Sequence, residues 1–273
     1  MDEHKRKEMI SKSFDAASEG YDRPALRFFK VSARLHAEQM ALAGNENVLD
    51  VATGTGVLAL ELSKKLPHGQ VTGIDLSDGM LSQARAKTEN SGLTNTDFLK
   101  MDMTALDFPS EHFDAISCAF GIFFVEDMVG QLQHLAEKLN KDGRITLSSF
   151  GGNLFHPMAK HFLERIETYG VELPPQSWKR VDDEEKMGEL FEAVGMKEFQ
   201  VKRHKIGYSL DNPEQWWDIV WFAGFRGLLS QLNSTSLERF RREHLEEVSD
   251  LVDDDGLIQL PIETLYASGR KIR

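Results

Sequence analysis

Short β-branched runs alternate along the chain with longer stretches in which apolar residues return every three or four positions. Asn47-Val48-Leu49-Asp50-Val51 is the first such run, and it enters a glycine turn, Ala52-Thr53-Gly54-Thr55-Gly56. Residues 57–66 then carry a helical pattern that stops before Pro67 and Gly69. The alternation repeats: a strand over 70–76, a helix over 79–91, strands over 96–100, 113–120 and 143–150, and a helix over 129–139. Strand–helix alternation with short connections implies parallel pairing through right-handed crossovers, hence an α/β fold with a doubly wound, mostly parallel sheet.

No internal repeat or low-complexity linker interrupts the pattern, which predicts one continuous domain with decorations. Residues 5–43 read as helical with breaks near Gly20 and Pro24. After Phe150 come a mixed loop and helix over 153–180, a helix over 184–194 closed by Gly195, and a strand over 199–208. A long helical stretch over 213–251 and a returning strand over 263–270 follow, which makes seven strands. The expected division is a helical lid (1–45), a core (46–150), an insertion (151–183), a helix and strand of the core (184–210), a helical cap (211–260) and a final strand (261–273).

Composition narrows the function. The chain has 273 residues and a formal net charge of −12, which argues against a phosphate-backbone binder, since those need a broad basic face. One cysteine, Cys118, excludes a disulfide framework and any Cys-rich zinc site; inside an apolar strand it reads as a buried thiol. The opening stretch Met1 to Lys7 lacks the apolar core of a signal peptide. No window approaches the ~18 consecutive apolar residues that span a bilayer, so the expectation is a soluble cytoplasmic protein.

A strand that runs into a Gly-x-Gly turn and then a helix is a nucleotide-binding device, because glycine lets the backbone approach a ligand and the helix start offers free N–H groups. Asp75 closes the second strand 21 residues after Gly54, where a carboxylate can accept both hydroxyls of a ribose. The third strand runs into Lys100-Met101-Asp102-Met103, with a further carboxylate on the same sheet edge. Asp50, the turn, Asp75, Asp102 and Phe120-Gly121 should converge where the winding reverses. Two cofactors fit. Gly54-x-Gly56-x-x-Ala59 satisfies the dinucleotide fingerprint, which keeps an NAD(P)-dependent oxidoreductase as the alternative. S-adenosylmethionine (SAM) suits the acids better, for it brings an ammonium, a sulfonium and a ribose but no phosphate.

Val48-Leu49-Asp50-Val51-Ala52-Thr53-Gly54-Thr55-Gly56, Val71-Thr72-Gly73-Ile74-Asp75-Leu76-Ser77 and Phe113-Asp114-Ala115-Ile116 together resemble the class I SAM-dependent methyltransferases. Within them the chain is most similar to the ubiquinone/menaquinone-biosynthesis type of small-molecule methyltransferase. The likeness covers residues 10–150 well and 185–210 loosely, and Phe14-Asp15-Ala16-Ala17 with Tyr21-Asp22 is similar to that group's entry lid. It implies that Asp50 and Ala52, Thr53, Gly54 and Gly56 hold the methionine part, that Asp75 binds the ribose, that Leu76 lies against adenine, and that Met80 on the next helix belongs to the cofactor site. Asp102 and Met103 would bond the adenine edge. Ala52 stands where many members carry the first glycine.

Other residues keep two readings. Tyr21 either closes over the cofactor or packs at a helix break, and Phe120 either faces the sulfonium, as a cation–π partner, or is a core phenylalanine. His156, beyond the fifth strand, is the candidate general base; a loop histidine in solvent is the bland alternative. Trp217, Trp221 and Phe225 share a helical face at four-residue spacing, as an acceptor pocket or as packing under a cap. Residues 238–255 read as a solvated acidic helix face, and no metal site is expected. The expected activity is methyl transfer to a small, apolar or aromatic acceptor, with a catalytically inactive SAM-binding protein as the third possibility. Partners beyond that acceptor are limited to a second copy, through an exposed aromatic cap: no nucleic acid and no membrane span.

Overall fold

Val48, Leu49, Val51, Val71, Ile74, Ile116 and Cys118 are fully shut off from solvent. Strands covered on both faces need apolar residues at every position, which is why these runs read as continuous. The computed structural model describes residues 3–272; the first two residues of the polar N-terminal stretch and Arg273 lie outside the described residues. The strands are β1 (Asn47–Val51), β2 (Gln70–Asp75), β3 (Thr96–Lys100), β4 (Phe113–Ala119), β5 (Leu139–Phe150), β6 (Lys197–Lys205), β7 (Tyr208–Leu210), β8 (Ile258–Leu260) and β9 (Glu263–Arg270). Helices are α1 (Glu3–Ala17), α2 (Phe28–Gln39), α3 (Val57–Lys65), α4 (Asp78–Ser91), α5 (Met128–Lys138), α6 (Met158–Thr168), α7 (Glu184–Ala193), α8 (Pro213–Phe222), α9 (Arg226–Leu229) and α10 (Ser234–Ser249).

Seven strands form one sheet in the order β3-β2-β1-β4-β5-β9-β6. Pairs β1–β2, β1–β4, β2–β3 and β4–β5 are parallel, and β9 runs antiparallel to β5. The chain winds outward from β1 to β3, then returns to place β4 on the other side of β1. That reversal opens a crevice at the carboxyl ends of β1 and β4. One face of the sheet packs against α5 and α7 through Leu132, Leu135, Met187 and Phe191. The other carries α2, α3 and α4 through Ala37, Leu58, Leu62 and Leu81. The result is the seven-stranded, mostly parallel α/β fold.

The chain divides into two compact units, not one continuous domain. One comprises residues 29–152, 177–204 and 264–273 and holds the sheet; the other comprises 1–28, 153–176 and 205–263. The second has an aromatic core of its own, which accounts for the division. Trp216 is fully buried there, with Phe155, Phe225 and His244 around it, and its indole Nε1–H donates to His244 Nε2 at 2.8 Å.

Two helix and strand expectations need correction. The strand over 199–208 ends at Lys205; Tyr208 to Leu210 instead pair antiparallel with Ile258 to Leu260. A Cβ at Gly207 would stand 2.5 Å from the Leu260 carbonyl, so glycine lets the two backbones meet. The helical stretch 213–251 is three helices. Extended backbone at Ala223 ends α8, and Asn233 starts α10 afresh by accepting from Ser236 N at 2.9 Å. Trp217 and Trp221 therefore share α8, whereas Phe225 lies beyond it, against Phe155, Phe162 and Trp216. The acidic run is also more than a solvated face: Glu243 and Glu247 both bind Arg165.

Candidate cofactor site

The site is built where β1 ends. Asp50 is buried, and its two carboxylate oxygens accept from Thr53 Oγ1 and Ser117 Oγ, each at 2.6 Å. Burial pushes its pKa up to about 6, against the pull of those two hydroxyls; Asp75 nearby pushes the same way. Asp50 is thus a buried carboxyl under the glycine turn that takes up a proton more readily than an ordinary aspartate.

The turn itself is left-handed. Ala52, Gly54 and Gly56 have φ of 54°, 56° and 76°. At Gly54 an added Cβ would meet nothing within 4 Å, so this glycine borders an open cradle. Gly56 is different, since a Cβ there would stand 2.8 Å from the Ala84 Cβ; it lets α3 pack close to α4. Thr53 N–H donates to Ile74 O at 2.9 Å and fastens the turn to β2. Asp75 Oδ2 accepts from Gly54 N at 2.9 Å and its Oδ1 from Ser77 N at 2.9 Å, so the carboxylate is held at the lip of the cradle. Ser77 Oγ in turn caps α4 by accepting from Met80 N at 3.1 Å.

Asp102 Oδ1 accepts from both the amide and the hydroxyl of Thr104, at 2.8 and 2.9 Å, which fixes the loop after β3. Gln131 holds Met103 through its carbonyl at 2.7 Å. Leu76, Asp102 and Met103 are half-buried, while Met80 faces the core of α4. Phe120 also has positive φ (53°) and stacks on Phe150 at 4.3 Å between ring centroids; Phe29 meets its edge at 5.8 Å. Trp178 closes the row edge-on to Phe150 at 6.5 Å. Cys118 is buried, and burial beside Asp50 pushes its thiol up to about 12, so it is an inert packing residue.

Asp50, Ala52, Thr53, Gly54, Gly56, Asp75, Leu76, Met80, Asp102, Met103 and Phe120 all belong to the sheet unit. Tyr21, His156, Trp217, Trp221 and Phe225 belong to the other one. His156 is exposed in the loop before α6, Tyr21 is half-buried and meets Phe14 edge-on, and Trp217 stacks on Trp221 at 6.0 Å. Ser117, Phe150 and Trp178 carry no motif in the sequence, and Phe29 reads there only as a packing position of the N-terminal helical stretch. Ser117 lies level with Asp50 in the β1–β4 register, so the pairing of the strands alone could have found it.

The residue set suits SAM. An open cradle at a glycine turn, with one carboxyl beneath and one beside it, favours a cation with a ribose. A pyrophosphate would meet two acids there.

The sequence profile of the methyltransferase domain family matches residues 48–143. Aklanonic acid methyltransferase DauC of Streptomyces sp. (strain C5) is 30% identical over 66% of this chain and 83% of its own. The ubiquinone/menaquinone biosynthesis C-methyltransferase UbiE of Proteus mirabilis is 28% identical over 61% of this chain and 71% of its own. Among solved structures, the YcgJ protein of Bacillus subtilis superposes with a TM-score of 0.60 at 20% identity, over 89% of this chain and 99% of that one. Phosphoethanolamine N-methyltransferase 2 of Haemonchus contortus does so at 0.60 and 13%, over 98% and 60%. These two share the fold; the curated relatives share the sequence. A chain that spans 83% of a methyltransferase at 30% identity, and ends its first strand in this turn, is a member of the class I SAM-dependent methyltransferases, with SAM as its methyl donor.

Proposed function

We propose that the methyl acceptor is a small aromatic molecule. Methyl transfer from SAM to a small molecule follows from the family, and the nicotinamide oxidoreductase weighed on the sequence falls away with it. The acceptor class rests on one observation: the half-exposed Phe120–Phe150 stack, with Phe29 and Trp178 at its edges, where β4 and β5 end beside the cradle. Flat aromatic faces receive a planar ring better than an aliphatic chain, because offset and edge contacts add to apolar burial. Relatives of the chain include a demethylmenaquinone methyltransferase, whose quinone acceptor is a planar ring system of this kind.

Bound SAM supplies a methyl group already activated on a sulfonium. The chain has to hold and orient, and proximity provides most of the acceleration. In this reading Asp50 provides a buried negative charge under the methionine part. Ala52, Thr53 and Gly54 line its seat, Asp75 receives the ribose hydroxyls, and Leu76, Asp102 and Met103 border adenine. Gly56 and Met80 act behind that surface by keeping α3 and α4 in place. Phe120 presents its face where a cationic sulfur would gain from a ring quadrupole.

The test is a competition. Purified protein with methyl-labelled SAM is given an equimolar mixture of hydroxynaphthoquinones, phenols and aliphatic alcohols, amines and thiols. Label confined to aromatic compounds supports the reading, and Phe150→Ala should then raise KM far more than it lowers kcat. Label on the aliphatic compounds alone would sink the aromatic assignment while leaving the methyltransferase intact.

A further inference from the structure

Four side chains in the non-sheet unit form one cluster of two indoles and two arginines. Trp217 and Trp221 stack with ring centroids 6.0 Å apart, and an arginine lies over each ring. Arg241 lies 5.5 Å from the Trp217 ring centre and Arg226 lies 3.5 Å from that of Trp221. The two arginines are not equivalent. Arg241 is neutralised by Glu214. Arg226 has no hydrogen bond or ion pair from its guanidinium among the described residues, and its Nη1 is shut off from solvent with no acceptor.

Four other arginines of this unit also lie over aromatic rings, and each has an acceptor. Arg23, over Phe222, pairs with Asp218 at 2.8 Å; Arg239, over Tyr169, pairs with Glu243 at 2.7 Å; Arg241 has Glu214. Arg27, over Tyr208, donates to the carbonyls of Pro24 and Ser209. In a chain with 44 acidic residues, a half-buried guanidinium without one is an unusual outlay of free energy. Burial also lowers the Arg226 pKa, and no carboxylate acts against it.

We propose that Arg226, backed by Trp221, binds the carboxylate of a small organic monoanion. The guanidinium fork matches a carboxylate in shape and charge, and the cluster holds its plane in place before the ligand arrives. A single guanidinium suits a monoanion better than a phosphate dianion, because the only other cation of the cluster is already neutralised. This site is independent of the aromatic acceptor proposed above, and it stands or falls by binding alone.

Calorimetry on the full chain tests it with four probes: 2-naphthoate, benzoate, the neutral 2-naphthamide and inorganic phosphate. S-adenosylhomocysteine is titrated separately as the check on the cofactor site. The expected result is saturable carboxylate binding, with 2-naphthamide and phosphate each at least about tenfold weaker, the size of one charge-assisted contact. Arg226→Gln should weaken 2-naphthoate by about ten- to a hundredfold, Arg226→Lys by less, and Arg241→Gln not at all. All variants should keep wild-type affinity for S-adenosylhomocysteine, which also reports that they fold. Cofactor binding without carboxylate binding would overturn the proposal and leave the methyltransferase reading untouched. Equal affinity for naphthoate and naphthamide, tighter phosphate, or an unchanged Arg226→Gln variant would overturn it as well.

Discussion

Gly121 faces the methyl group of Ala52: a Cβ added at Gly121 would stand 2.9 Å from the Ala52 Cβ and 2.8 Å from the Cys118 sulfur. Ala52 sits at φ 54°, a left-handed conformation that costs an L-residue roughly 1–2 kcal/mol, and glycine would avoid that cost. The two positions are therefore coupled, one carrying a methyl that the other leaves room for.

Gly121→Ala should destabilise by about 1–3 kcal/mol through overpacking, since its own φ is ordinary. Ala52→Gly should stabilise by about 0.5–1 kcal/mol. In the double variant Gly121→Ala should cost less than it does alone, because one of its two clashes is gone. Urea denaturation of the four proteins gives the coupling, and strict additivity would show that the methyl and the glycine ignore each other.

Asp50 controls a pH effect on cofactor binding. Its pKa of about 6 lies above the ordinary 3.8, so the folded apo protein holds that proton more tightly than the unfolded chain. Its contribution to stability is complete below pH 3.8 and is lost as pH rises through 6. A cationic ligand favours the ionised form, so binding of SAM near pH 6 should release a proton. Calorimetry in buffers of different ionisation enthalpy measures that release. Asp50→Asn should abolish it, weaken SAM, and stabilise the apo protein at pH 7.

Asp75 joins two parts of the site, because it takes Gly54 N–H on one oxygen and Ser77 N–H on the other. Asp75→Ala should weaken SAM by roughly 1.5–3 kcal/mol, about ten- to a hundredfold, from lost charge-assisted bonds. Asp75→Asn keeps one acceptor and should fall between. Affinity unchanged in both variants would remove Asp75 from the cofactor site.

His36 should govern part of the acid sensitivity. The ring is fully buried on α2 with Tyr266 edge-on at 6.0 Å; the Thr146 backbone favours its charged form, but among the described residues no atom completes a hydrogen bond to either nitrogen. Burial holds its pKa down to about 3, from 6.5. The neutral ring therefore contributes stability above pH 6.5 that is lost as pH falls toward 3. His36→Leu should be the more stable protein by roughly 3 kcal/mol at pH 4, relative to their difference at pH 7. Parallel thermal melts at both pH values would sink the assignment.

The sheet unit was legible in the sequence because buried parallel strands leave a plain signal. Val48 to Val51 and Phe113 to Ala119 could be nothing but central strands, and the turn between β1 and α3 carries its conformation in its glycines. The other unit was less legible for a definite reason. Trp217, Trp221 and Phe225 keep a four-residue spacing through Ala223-Gly224, and periodicity cannot register a break that retains it. The Phe120–Phe150 stack was hidden for another reason: it joins the ends of two successive strands across the helix between them, and only their register brings the rings together. Arg226 likewise carries no motif, since what sets it apart is a missing partner.

Strand β9 lies between β5 and β6, yet it is the last strand of the chain. During vectorial synthesis the first five strands can pair as soon as residue 150 emerges, whereas β6, already made, has no neighbour to join until residues 263–270 follow. The antiparallel strand thus acts as a keystone: it fills a one-strand gap in one late step, and it ties completion of the sheet to translation of the whole non-sheet unit that precedes it.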